Sequence, residues 1–220
     1  LLSITGGFIS SARSTELSQL AREPELAERM DLVKSNLPRA SAPLNAFAGF
    51  FETEFRRFDF YLGMYDAFVQ LSQTPEWKAQ PVDFEQVLSI SEEARTEWAP
   101  FLCMVGMTQE RYARYRPVCA EPALANFRIV LQVSLDRLHD ACTRNTKSPA
   151  PDNALCLDAR MGNDAPRVPG VVDVSRAERR RGNDESGFDY FMRLLGAYGF
   201  EFHDLGLSPA ESKRGALVLR

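Results

Sequence analysis

The chain has 220 residues and a mass of 24.8 kDa, enough for one substantial domain or one domain with an appendage. Hydrophobic residues make up 45% and charged residues 25%, which excludes wholesale disorder. The formal net charge of −4 argues against a nucleic-acid partner, because such a surface needs a basic excess.

Leu1 to Ile9 reads as a short strand running into a Gly6-Gly7 turn. Opening on Leu1-Leu2-Ser3-Ile4 resembles the interior of a strand, as in a chain cut from something longer. Ser14 caps a helix-prone segment through Arg22, and Pro24 restarts a helix from Glu25 to about Lys34, ended by Leu37-Pro38.

The dominant predicted element runs from about Pro43 to Ser72, a rod of roughly 40 Å. Leu44, Phe47, Phe51, Phe55, Phe58, Leu62, Tyr65 and Val69 step along it by three and four. A second stripe of Phe50, Met64, Phe68 and Leu71 widens the face, as expected of a central helix with neighbours on more than one side. Glu52, Arg56, Asp59, Gly63 and Asp66 form a polar stripe on the same helix. A structural role is expected for these carboxylates, since two acids seven residues apart sit roughly 10 Å from one another. Gly63 costs a helix interior up to about 1 kcal/mol, so close approach of another group is expected there.

Thr74-Pro75-Glu76 opens a further helical stretch, with Phe84, Val87 and Leu88 at helical spacing. Ser91 to Met107 reads as a helix bent or split by Pro100. Ala123 to Thr143 is an amphipathic helix with Leu124, Phe127, Val130 or Leu131, Leu135, Leu138 and Cys142 on its apolar stripe. From Asn145 to Gly187 the periodicity dissolves among four prolines, and a mobile loop with little surface to bury is expected. Phe188 to Tyr198 is a short helix ended by Gly199, and Ser208-Pro209-Ala210-Glu211 opens a last one. No apolar run approaches the roughly 18 residues of a spanning helix, so the expected protein is soluble or peripheral.

Few residues suggest chemistry. No Gly-x-Ser-x-Gly pentad occurs, and Ser10 and Ser11 lack the following glycine that would make a nucleophile elbow. Cys103, Cys119, Cys142 and Cys156 are spaced 16, 23 and 14 apart, unlike a zinc module, and buried reduced thiols are expected for the three in helical patterns. Asp136, His139 and Cys142 share a helix face but lack further metal ligands. His203-Asp204 reads as a surface pair, and Arg176, Arg179, Arg180 and Arg181 as a solvated basic cluster that meets anionic headgroups if it meets a membrane. Trp77 and Trp98 fit either an interface or the core. No cofactor, metal or catalytic residue is assigned.

Three segments together resemble the C-terminal part of bacterial patatin-like phospholipases. Leu1-Leu2-Ser3-Ile4-Thr5-Gly6-Gly7 is similar to the family's "LSLGTG" strand and turn after its catalytic aspartate. Ala46-Phe47-Ala48-Gly49-Phe50-Phe51-Glu52 through Phe58-Asp59-Phe60-Tyr61-Leu62-Gly63-Met64-Tyr65-Asp66-Ala67 is like its helix "GAFFxRxFRExDFxxGxxDA". Phe191 to Gly206, with Gly199-Phe200 and Asp204-Leu205-Gly206, resembles its terminal "LLxxxGFxxxDLG". The direct matches cover about a third of the chain and leave Thr74 to Gly187 unmatched. The resemblance implies a parent that hydrolyses lipid acyl esters with a Ser–Asp dyad, whose Gly-x-Ser-x-Gly and Asp-Gly-Gly or Asp-Gly-Ala motifs lie upstream of the first segment. Neither motif occurs in these residues, and Thr5-Gly6-Gly7 is no substitute because a threonine hydroxyl is no general base.

The expected architecture is therefore mostly α. Residues 1–12 would be the terminal strand and turn of an upstream α/β patatin-like domain, and 13–144 a helical domain around one long central helix. Residues 145–187 would be the mobile loop, and 188–220 a C-terminal helix pair docked on the helical domain. The expected function is a non-catalytic helical region beside or capping an upstream catalytic domain, with peripheral membrane contact a further expectation. The alternative is an independent helical module that binds another protein. An apolar patch where a catalytic domain would dock favours the first, and a self-contained surface the second.

Overall fold

The computed structural model describes residues 15, 19, 22, 23, 25, 35–44, 48–75, 92–144 and 167–204. The predicted strand, both helices before Lys34 for all but four residues, the stretch Val82 to Ile90, Trp77 and the helix from Ser208 lie outside them. The described residues are mostly helical and contain no strand.

Among the described residues the fold is carried by α1 (Thr53–Gln73), α2 (Glu92–Thr108), α3 (Ala125–Arg144) and α4 (Gly187–Ala197). Helix α1 packs on both α2 and α3, and α4 packs on α3. Phe55, Phe58, Leu62, Tyr65 and Phe68 of α1 are buried, as their spacing predicts. Phe58 and Tyr61 meet Phe127 of α3 at ring separations of 6.0 and 6.2 Å. Trp98 is partly buried against Tyr61 and Phe101, so it belongs to the core.

The long predicted rod is shorter than expected. Ala42–Leu44 and Ala48–Phe51 are 3-10 turns, and α1 begins only at Thr53, for 21 residues or about 31 Å. Glu52 breaks the run with an extended backbone at φ −118°, ψ 120°. The sequence stripe does not register this break, because apolar residues continue at helical intervals on both sides of it.

Helix α2 continues through Pro100. The Tyr61 hydroxyl donates to the Glu97 carbonyl, in the turn that the proline interrupts. Beyond α2 the chain folds back along it as a 3-10 segment, Glu110–Ala120, kinked at Tyr112. Gly106 permits this approach. A Cβ there would lie 2.8 Å from the Arg116 nitrogen and 2.9 Å from the Tyr115 carbonyl carbon. Arg116 Nε donates to the Gly106 carbonyl at 3.1 Å, and a disulfide joins Cys103 to Cys119 with Cα atoms 4.9 Å apart.

That disulfide corrects the expectation of reduced thiols, and Cys142 is also disulfide-bonded. Spacing along a chain does not show that a fold-back segment returns Cys119 to Cys103. Gly63 is a second correction: it is exposed, and a Cβ built on it meets nothing within 4 Å. The tight glycines among the described residues are Gly106 and Gly49, the latter closed off by the Ser41 side chain.

Ser186 caps α4 by accepting from the Asp189 N–H at 3.1 Å. Gly199, at φ +77°, turns the chain out of it while Phe200 N–H bonds the Leu195 carbonyl at 2.9 Å. Phe200 and Phe202 thereby reach Phe55, at ring separations of 5.8 and 5.3 Å.

Of the predicted loop, residues 145–166 lie outside the described residues; residues 167–186 have no helix and are largely exposed, with two buried anchors. Val168 and Val174 are 3% and 4% exposed, and the Val168 N–H donates to the Gln132 side chain at 2.7 Å. Two isolated valines carry no period, so the sequence pattern does not mark their burial.

Candidate functional site

Three polar centres stand out, and each begins with a residue that the sequence pattern marks. The first is the entry to α1. The first N–H groups of a helix have no intrahelical acceptor, and an anion beside them is favoured by the helix dipole. The Glu52 side chain makes no cap bond; the cap comes instead from the far end of the chain. Asp204 accepts from both the backbone N–H and the hydroxyl of Thr53, with Arg56 3.6 Å away. Its carboxyl is held below the usual range mainly by the Thr53 hydroxyl. Glu52, 1% exposed, accepts in return from the Asp204 N–H at 3.3 Å. Burial pushes the Glu52 carboxyl above the usual range. His203 and Asp204 are both exposed, and Asp204 in addition serves α1 as its cap.

The second centre is a cleft of about 440 Å³ along α1, lined by Ser35, Arg39, Asp59, Leu62, Gly63, Asp66 and Ala67. Asp59 accepts from the Ala40 N–H at 3.0 Å, and Asp66 accepts from the backbone and side-chain N–H groups of Asn36 at 2.9 and 3.0 Å. Both carboxylates therefore fasten the segment carrying buried Leu37 and Ala40 onto α1. The missing side chain of Gly63 leaves the floor of this cleft open.

The third centre is Asp136 on α3, 1% exposed. Its Oδ1 accepts from Gln132 Nε2 at 3.2 Å and Arg179 at 3.4 Å, with Arg167 at 3.7 Å, and its Oδ2 accepts from the Tyr198 hydroxyl. Burial, and then this carboxylate, raise the Tyr198 hydroxyl far above its usual range. The shared face of Asp136, His139 and Cys142 does not become a ligand set, because Asp136 is turned to arginine and tyrosine and Cys142 is oxidised. Among the described residues no group of three His, Cys, Asp or Glu side chains is placed to hold a metal ion. Sequence reasoning missed Gln132, Arg167 and Tyr198 as members of this centre. The available signal was Gln132 and Asp136 at i, i+4 on the buried side of an otherwise apolar stripe.

Comparisons with family models, curated proteins and solved structures find no match. The functional reading therefore rests on the residues themselves. Among the described residues no single helix is long and apolar enough to cross a membrane.

Proposed function

We propose that the chain is the non-catalytic C-terminal helical region of a patatin-like lipid acyl hydrolase, packing beside or capping the catalytic domain. The observation that carries this reading is the joining of two segments that resemble the family and lie far apart in sequence. The α1 segment and the Phe191 to Asp204 segment meet through Phe55, which touches Phe191, Phe200 and Phe202, and through the Asp204 cap on Thr53. Motif residues that look independent in the sequence thus act together, fixing the entry of α1 against the end of the domain.

The surface of α1 adds support. Phe60 and Leu71 are 62% and 42% exposed, and their separation of eleven residues, about three turns, puts them on one face with exposed Ala67 between them. An apolar ridge beside the Gly63 cleft suits contact with another domain. In this reading the ester chemistry belongs to an upstream Ser–Asp dyad, and these helices contribute no reacting group.

The test is to read the coding sequence upstream of Leu1 and to assay the protein that includes it. A Gly-x-Ser-x-Gly pentad followed by Asp-Gly-Gly or Asp-Gly-Ala is expected. Acyl-ester turnover should vanish when that serine becomes alanine and be undetectable for the 220 residues alone. Upstream sequence without either motif, or serine-dependent turnover by the 220 residues, overturns the proposal.

A further inference from the structure

The basic cluster near Arg180 remains without a role in the reading above. Arg176, Arg179 and Arg180 line a cavity of about 90 Å³ together with His139, Thr143, Asp136 and Asp140 of α3. That volume admits a small polyatomic ion and excludes an acyl chain, given that one water occupies about 30 Å³.

The arginines are mounted on a turn that is fixed without any ligand. Ser175 N–H donates to the Glu178 carboxylate at 3.0 Å, and Glu178 N–H donates back to the Ser175 hydroxyl at 3.3 Å. Arg193 donates to the carbonyls of Glu178 and Arg180, and the Tyr190 hydroxyl to the carbonyl of Arg179 at 2.7 Å. Three successive carbonyls are therefore held by α4, and the guanidinium stems start from fixed positions.

The two carboxylates in the wall are already engaged. Asp136 takes Gln132, Arg167, Arg179 and Tyr198, while Asp140 Oδ2 lies 2.8 Å from the Tyr190 hydroxyl, whose single proton it shares with the Arg179 carbonyl. Two buried nitrogens on the cavity are not: among the described residues, Arg179 Nε and His139 Nδ1 have no hydrogen-bond partner. Buried polar atoms are usually matched, so two unmatched nitrogens on residues that line the same small cavity point to a group that completes it.

We infer that this cavity binds a phosphate group, taken either from a free phosphate or phosphomonoester or from a phosphomonoester lipid headgroup. Guanidinium donors in a fixed arrangement match tetrahedral phosphate oxygens, and ionised partners make the stronger hydrogen bonds.

The experiment titrates the 220-residue chain with inorganic phosphate at constant ionic strength, by calorimetry and thermal shift. One saturable site is expected. Arg180→Glu should weaken it by at least about tenfold and His139→Ala measurably, whereas Arg180→Lys should retain part of it. Arg180 is exposed, so folding of these variants is expected and is checked by circular dichroism. Sedimentation with vesicles of phosphatidic acid or phosphatidylcholine separates the sources. Phosphate binding with Arg180-dependent capture on phosphatidic acid assigns a lipid headgroup, and phosphate binding without capture assigns a free phosphate. No saturable phosphate binding, binding indifferent to Arg180→Glu and His139→Ala, or vesicle capture without phosphate binding overturns the site. None of these readouts involves ester hydrolysis, so the site fails or stands independently of the acyl-hydrolase reading.

Discussion

Helix α4 and the turn after it attach to the body by two opposite means. On one side Phe191, Phe200 and Phe202 close around Phe55, an aromatic joint in which every ring is within 5% of full burial. On the other, Tyr190, Tyr198 and Arg193 grip a charged network of Asp136, Arg167, Arg179 and the turn carbonyls. The aromatic joint tolerates adjustment, because burial is non-directional and scales with area. The charged network does not: each buried ion is stable only while its partner is present. Two joints on one short helix therefore respond differently to the loss of one side chain.

The largest expected effect is at the charged joint. Asp136→Ala leaves the largely buried Arg179 without its carboxylate and the Tyr198 hydroxyl without its acceptor, while Arg167 keeps Asp173, and should cost about 3–5 kcal/mol in urea denaturation. Phe55→Ala should cost a similar 3–5 kcal/mol from cavity and transfer terms. The contrast is in the conservative variants. Phe55→Leu should recover much of the loss, while Asp136→Asn should recover little because it restores shape without charge. Equal recovery by both would remove the distinction.

The Cys103–Cys119 disulfide comes next. It closes a 16-residue loop, for which chain entropy gives about 3 kcal/mol. Cys103→Ser, which leaves the Cys142 disulfide intact, should lower the melting temperature and expose the 110–120 segment to protease before α4 loosens. Early release of α4 would show that the two regions are one cooperative unit.

These regions also differ in how far the sequence made them legible. Helices α2, α3 and α4 appear with ends within two residues of expectation, because their apolar spacing and the stop at Gly199 follow directly from helix geometry. The buried face of α1 was equally readable, but its start was not. The break at Glu52 coincides with the cap that Asp204 supplies from far along the chain. The 110–120 segment was missed for a different reason: Tyr112, Tyr115 and Val118 repeat every three residues, the period of a 3-10 helix, and the α-helical template does not register it. Asp59, Asp66 and Asp136 were visible as polar residues on helices. Which backbone each would hold was not, because a single hydrogen bond leaves no pattern.

A smaller effect is expected at the glycines, where open and closed surroundings are opposed. Gly106→Ala should destabilise by about 1–3 kcal/mol, since the new methyl meets the backbone of Tyr115 and Arg116. Gly63→Ala should instead stabilise α1 by about 0.5–1 kcal/mol through helix propensity alone. Thermal melts of the two variants should move in opposite directions. A loss at Gly63 comparable to that at Gly106 would mean that something covers the cleft.

The smallest effect is a pH dependence at the entry to α1, where two neighbouring carboxyls carry shifts of opposite sign. Asp204 is held low by Thr53, so its contribution is present above its unfolded pKa, about 3.8, and is lost as pH falls through the lower folded value. Glu52 is pushed up by burial, so its contribution is present below its unfolded pKa, about 4.5, and is lost as pH rises through the higher folded value. Lowering the pH from neutrality should therefore first relieve Glu52, and only in stronger acid release the Asp204 cap. Glu52→Gln keeps an acceptor for the Asp204 N–H while removing the buried charge. It should raise the melting temperature near neutral pH, with the gain fading towards about pH 4 as wild-type Glu52 protonates. Asp204→Ala should lower it by an amount corresponding to about 1 kcal/mol, as for the loss of a helix cap, and that loss should persist until Asp204 itself would protonate. If the two variants show the same pH profile, the opposed shifts at this joint are wrong.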